Sequence, residues 1–122
     1  MENKNYGQIK ISEDVIATIS GIAAAEIEGV ASMSGSITGN ITEILGKKNL
    51  SKGVKVVVNE EDVFIDLFLL IEYGVVIPDV AWKIQENVKN TVETMTGLKV
   101  VEVNVHIQGI TFKKEKIEEN NQ

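Results

Sequence analysis

The sequence predicts an α+β fold, a two-layer sandwich in which two helices pack on one face of a mostly antiparallel sheet. Three observations predict it. Residues 54–73, "VKVVVNEEDVFIDLFLLIEY", read as two runs rich in β-branched and aromatic residues joined by an acidic tight turn at Asn59 to Asp62, an antiparallel hairpin. Two further segments carry apolar residues at helical spacing. The resulting order of strand, helix, strand, loop, hairpin, helix, strand puts both helices against one sheet face.

Taken in order, "GQIKIS" alternates Ile9 and Ile11 against Gln8 and Lys10, the pattern of a short edge strand. Ser12 is placed to cap the helix that follows, and Glu13 and Asp14 fall in its first turn, where the helix dipole favours negative charge. Along that helix Val15, Ile19, Ile22, Ala23 and Ile27 form the predicted core stripe. Gly29 stops it and turns the chain into "VASM", a second short strand.

Residues 34–53 shift to Gly, Ser, Asn, Thr and Lys, the composition of a flexible insertion, within which Ile37, Ile41, Ile44 and Leu45 recur at helical spacing. After the hairpin, Pro78 and Asp79 open the second helix, Ala81, Ile84, Val88, Val92 and Met95 line its apolar stripe, and Gly97 closes it. The last strand alternates Val101, Val103, Val105 and Ile107 against Glu102, Asn104, His106 and Gln108. Residues 1–112 thus make one domain, and the charged segment 113–122 reads as a disordered tail.

The chain has 122 residues, 43% of them hydrophobic, enough for one core without disulfides or metals. It has no cysteine, which removes thiolate metal sites, iron–sulfur clusters and cysteine nucleophiles together. The N-terminus lacks an apolar run of signal-peptide length, and the longest apolar stretch is interrupted by Asp66 and Glu72. A soluble, cytoplasmic protein without direct membrane insertion is expected, and the glycan-type triplets at Asn40 and Asn49 are chance matches. The net charge is −6 and every basic residue is lysine. With no arginine for bidentate phosphate or guanine contacts, nucleic acid is disfavoured as a partner, and so is an anionic lipid surface.

Candidate chemistry is sparse. Gly46 and Lys47 suggest a phosphate loop, but Ile41 stands where the motif needs its first glycine and Lys48 where it needs Ser or Thr. His106, the one histidine, lies on the polar side of its strand beside Glu102 and Asn104, with no nucleophile or ligand at a useful spacing. Asp66 and Glu72 share a strand face but lie about 20 Å apart at strand rise, too far for a paired-carboxylate mechanism. Trp82 sits one position off the second helical stripe and reads as an anchor at the core margin. No catalytic residue, cofactor or metal is predicted.

The hairpin's second face does not fit a simple solvated surface. If Val63, Ile65, Leu67, Leu69 and Ile71 lie under the helices, the opposite face carries Val57, Phe64, Asp66, Phe68, Leu70 and Glu72. Either the insertion folds across it, or another copy or a partner does. Val57, Phe64, Phe68 and Leu70 are the candidate interaction surface. Burying Phe64, Phe68 and Leu70 would contribute roughly 5–9 kcal/mol against an association cost of about 4–15 kcal/mol, so this face alone supports weak or avid assembly.

The blocks "GQIKIS", "AAAEIEGV", "GKKNLSKGVKV", "EYGVVIPDVAWKIQENVKNTVETMTGLKV" and "VNVHIQGITF" together resemble the alkaline-shock-protein family of Gram-positive bacteria, the envelope stress response proteins. The resemblance runs from Gly7 to Phe112. It implies a non-enzymatic cytoplasmic protein linked to the cell envelope, a self-associating scaffold or adaptor held beneath the membrane through an anchor protein. The alternative it implies is a regulator of fatty acid synthesis that binds a lipid-metabolism enzyme such as acetyl-CoA carboxylase. The family carries no catalytic motif.

Overall fold

The structure is a computed structural model that describes residues 6–34 and 51–112. Its elements are α1 (Glu13–Ala25), β1 (Val30–Met33), β2 (Val54–Asn59), β3 (Asp62–Glu72), α2 (Ile77–Thr96) and β4 (Lys99–Thr111). Two helices and four strands give the predicted α+β architecture. The expected amphipathic turn through Ile37, Ile41, Ile44 and Leu45, most of the insertion, and the tail lie outside the described residues.

The sheet is organised around β3. Along one edge β3 pairs in parallel with β4 over its whole length, from Asp62 with Lys99 to Glu72 with Thr111. The other edge is shared by two antiparallel strands set end to end, β2 opposite Asp62–Leu67 and β1 opposite Leu69–Ile71. Phe68 sits at their junction, its N–H donating to Gly53 O and its carbonyl accepting from Ser34 N, both at 2.8 Å. The space there is tight enough to dictate a residue type. A Cβ on Gly53 would come within 2.8 Å of Ser34 O and 2.9 Å of Phe68 O, and its φ of 79° lies in the left-handed region.

Alternation along β3 buries Val63, Ile65, Leu67, Leu69 and Ile71 completely. Onto this face pack the two helices, running antiparallel, with Val15 beside Met95 at one end and Gly29 against Val80 at the other. Asn87 ties them, donating from Nδ2 to Ala23 O at 2.8 Å and to Glu26 Oε1 at 3.2 Å. Ser20, wholly buried, satisfies its hydroxyl on Ile16 O at 2.8 Å.

Several local expectations hold. Ser12 caps α1 through its Oγ on Val15 N, the Asn59–Asp62 turn joins β2 to β3, Pro78 stands in the first turn of α2, and Gly97 ends α2 in the left-handed conformation. Others are corrected. Residues 7–12 form no strand, and Ile9 is exposed; only Ile11 reaches the core margin. Of the expected stripe of α1, Ala23 is buried and Ile19 and Ile27 pack against the core, but Val15 and Ile22 face outward and the buried side also takes Ile16, Ala17, Ser20, Gly21 and Ala24. The small residues permit a close helix–sheet approach, so the core takes the Ala-rich side of α1 instead of its bulkiest side. On α2, Val80 replaces Ala81 at the head of the stripe, and Met95 and Trp82 are exposed. Trp82 is therefore no core anchor. In β4 a register shift at Val101 turns that residue outward and brings Val100 and Val103 inward.

The first part of β4 is held to α2 by side chains. Glu93 Oε2 accepts from Val100 N at 2.9 Å, Lys89 Nζ donates to Val100 O at 3.0 Å, and Gln85 Nε2 donates to Val103 O at 3.0 Å. The Val100 amide, followed by Lys89 at 3.0 Å, holds the Glu93 carboxyl below the usual glutamate range.

Two outcomes follow from this architecture. Leu67→Ala, at the wholly buried centre of β3, is expected to lower unfolding free energy by about 2–5 kcal/mol in urea titration, whereas Trp82→Ala changes it by less than about 0.5 kcal/mol. Because the Glu93 pKa is depressed in the folded state, its stabilisation is complete above the unfolded glutamate value of 4.5 and is lost as pH falls through the lower folded value. Wild type should therefore lose its stability advantage over Glu93→Gln as pH drops below that range, measured by denaturation at stepped pH.

Candidate interaction face

The face of the sheet away from the helices carries Phe64, Asp66, Phe68, Leu70 and Glu72 from β3, all half-buried. Register places Val57 and Lys55 of β2 beside Phe64 and Asp66. On the other side, Glu102, Asn104 and His106 of β4 stand beside Phe64, Asp66 and Phe68. Val57, Phe64, Phe68 and Leu70 thus lie on one face, and Val57 is the most open of them at 58% exposure.

The centre of this face is a small network. The His106 ring stacks on Phe68 with centroids 4.4 Å apart and planes 9° from parallel. His106 Nε2 lies 3.1 Å from Asp66 Oδ1. Lys55 Nζ lies 5.7 Å from the centroid of the Phe68 ring, within cation–π range, and Lys55 is the register partner of Asp66. Phe68 is therefore flanked by a cation on the β2 side and an imidazole on the β4 side. A carboxylate–histidine pair becomes catalytic when the imidazole also reaches a nucleophile or ligand, whereas this imidazole lays its ring on Phe68. The arrangement fixes an aromatic platform inside a polar frame.

A second polar link crosses the face nearby, where Ser34 Oγ meets Gln108 Oε1 at 2.7 Å. Gln108 is the extra residue of a second register shift in β4, between the pairs Leu69 with Ile107 and Leu70 with Gly109. Gly109 then leaves room for Leu70, since a Cβ there would lie 2.9 Å from Leu70 Cδ2.

The apolar members of this face are legible in the sequence, but their partners are not. His106 and Phe68 are 38 positions apart, and only the parallel pairing, with Val101 bulged out, brings them side by side. The adjacent Val100 and Val101 and the step from Ile107 to Ile110 break the alternation where the two bulges fall, and Gly109, the lone glycine in the run 99–111, marks the second.

With the fold and this face in view, the chain can be set beside known proteins. A model of the alkaline shock protein family, with a cell envelope-related function, matches residues 1–112. The chain belongs to that family. It is 42% identical over 111 residues to the uncharacterized protein YqhY of Bacillus subtilis, covering 91% of this chain and 82% of that one. It is also 42% identical over 107 residues to YloU of the same organism, covering 86% and 89%. A stress response regulator gls24 homolog of Streptococcus pyogenes is 30% identical over 110 residues, covering 89% of this chain and 62% of the longer relative. These matches bear out the resemblance to the envelope stress response proteins, and the family's function is cell envelope-related. None of the descriptions names a catalysed reaction. Among the described residues no helix is long and apolar enough to cross a membrane.

Because Phe68 is half-buried on a partly open face, Phe68→Ala is expected to retain a cooperative unfolding transition and to cost about 0.5–3 kcal/mol, less than Leu67→Ala in the same assay.

Proposed function

We propose that this protein acts without catalysis, as a scaffold or adaptor in envelope stress and homeostasis, through protein contacts made by the open sheet face. The observation that carries this reading is the composition of that face. Phe64, Phe68, Leu70 and Val57 form its apolar centre, and Lys55, Asp66, Glu72, Glu102 and His106 frame it with charges of both signs and an imidazole. An apolar centre within a polar rim is the anatomy of a protein contact surface. It is also a modest one. Phe64, Phe68 and Leu70 are already half-covered, so docking gains less than the roughly 5–9 kcal/mol of full burial, and contact is expected to be weak per copy and reinforced by multiplicity. The protein works on the cytoplasmic side, reaching the membrane through a partner.

Family membership supports the envelope role, and the mixed-sign rim supports contact with a protein over contact with a polyanion. The test is Phe68→Asp, checked for folding, in two assays. In light scattering behind size exclusion, wild type is expected to form species larger than two chains as concentration rises, and the variant to lose them. In copurification from native lysate, wild type is expected to retain a membrane-anchored protein that Phe68→Asp releases. Retention of a lipid-synthesis enzyme such as acetyl-CoA carboxylase instead would replace the scaffold reading with a regulatory one. Large assemblies and partner retention both unchanged in Phe68→Asp would remove the face from the proposal.

A further inference from the structure

The two outer edges of the sheet are treated differently. On the β1/β2 side, a carboxylate oxygen of Glu13 in α1 accepts from Val58 N at 3.3 Å. On the β4 side, Glu93, Lys89 and Gln85 occupy the outward-pointing groups of Val100 and the carbonyl of Val103, and the bulge at Val101 further disrupts the start of the strand. These are the usual protections of a sheet edge: covering side chains and bulges. They stop at Val103.

Beyond it, strand alternation turns the N–H and C=O of Val105 and Ile107 outward like those of Val103, because the intervening residues face β3. Among the described residues no side chain bonds to either of them. The run Asn104 to Thr111 contains no lysine and no proline, the two residues that most often blunt an exposed edge. Ile110 and Phe112, at the end of the run, are 50% and 59% exposed.

The geometry points to this second half of β4 as a strand-pairing edge whose occupant is the same edge of a second copy, antiparallel about a two-fold axis. Self-complementarity selects that occupant. On the helix side Val105 and Ile107 would meet apolar counterparts; on the open side Asn104, His106 and Gln108 present no carboxylate and no lysine. Two identical edges therefore meet without like-charge opposition, although each chain carries a net charge of −6. Such a pairing joins two three-strand-wide sheets into one and makes their open faces continuous, so that two Phe68 platforms are presented together. It adds a contact surface to the one built on Phe68 and does not depend on it.

Val105→Pro removes an outward N–H at a position where an edge strand tolerates proline, and Asn104→Lys, on the exposed polar side, adds like charge to both copies while leaving the backbone intact. In the full chain carrying Phe68→Asp, which silences the other surface, light scattering across a concentration series should show the mass rising from one chain to two, and adding either Val105→Pro or Asn104→Lys should hold it at one. Amide exchange at Val105 and Ile107 should slow by about tenfold or more as wild type associates, while Val100, already bonded to Glu93, does not change. A wild type that remains a monomer throughout overturns the proposal. So does a dimer whose Val105 and Ile107 amides exchange as fast as in the monomer, or a dimer that persists in a folded Asn104→Lys variant. Phe68→Asp separates the two surfaces: the edge dimer survives it, and the larger species and partner contacts do not.

Discussion

The backbone pairing of β3 is the constraint on which the rest of the molecule depends. A strand has two edges, and β3 satisfies three partners by giving one edge wholly to β4 and dividing the other between β2 and β1. The division falls at Phe68, where the chain leaves through Ser34 and returns through Gly53 within one residue's reach of each other. That closeness explains why Gly53 is a glycine, because the carbonyls of Ser34 and Phe68 occupy the space of its missing Cβ. It also explains how an insertion between two strands can be accommodated without disturbing the sheet. Its ends are pinned side by side, and the entropy of closing a loop rises only slowly with its length.

From the same strand follow two surfaces of opposite character. Period-two alternation sends five aliphatic side chains into full burial beneath α1 and α2, where they carry the stability of the domain. It sends Phe64, Phe68 and Leu70 to the other side, interleaved with Asp66 and Glu72. One helical layer can cover one face only. The second face is therefore a consequence of building the sheet around a strand apolar on both sides, and its charged members keep that face compatible with water.

Much of this architecture is legible in local signals. The hairpin, both helices, the Ser12 cap, the Gly97 stop and the apolar face of β3 are each specified by residues within a few positions of one another. What depends on distant contacts is not. The segment 7–12 has a strand's alternation but pairs with no strand among the described residues, although Ile9 and Ile11 line a cavity with Val58. The core side of α1 departs from its periodicity for a related reason. Periodicity ranks stripes by hydrophobicity, whereas the wholly buried side of α1 is built on Ile16, Ser20, Ala23 and Ala24, three of them small residues. The pairing of His106 with Phe68 requires the parallel register, which leaves no local mark, and the bulge at Val101, which shows only as two adjacent valines.

The bulges connect fold to function. Were Val101 paired in regular register instead of bulged, the residues of β4 would fall out of phase with β3, and Val101 would stand beside Phe64 where Glu102 does. The shift at Gln108 acts in the same manner on the far side of Phe68, placing Gly109 rather than Gln108 itself against Leu70 and freeing Gln108 to reach Ser34. Between these two irregularities lies a regular stretch, Glu102 to Ile107, whose polar members border the Phe68 platform and whose alternate residues, Val105 and Ile107, direct their backbone groups away from the sheet. A single segment thus frames the open face on one side and, among the described residues, forms an edge that no side chain covers on the other. A residue change within it that keeps the alternation alters one surface at a time, whereas one that adds or removes a residue alters both together, since every side chain beyond the change would exchange faces.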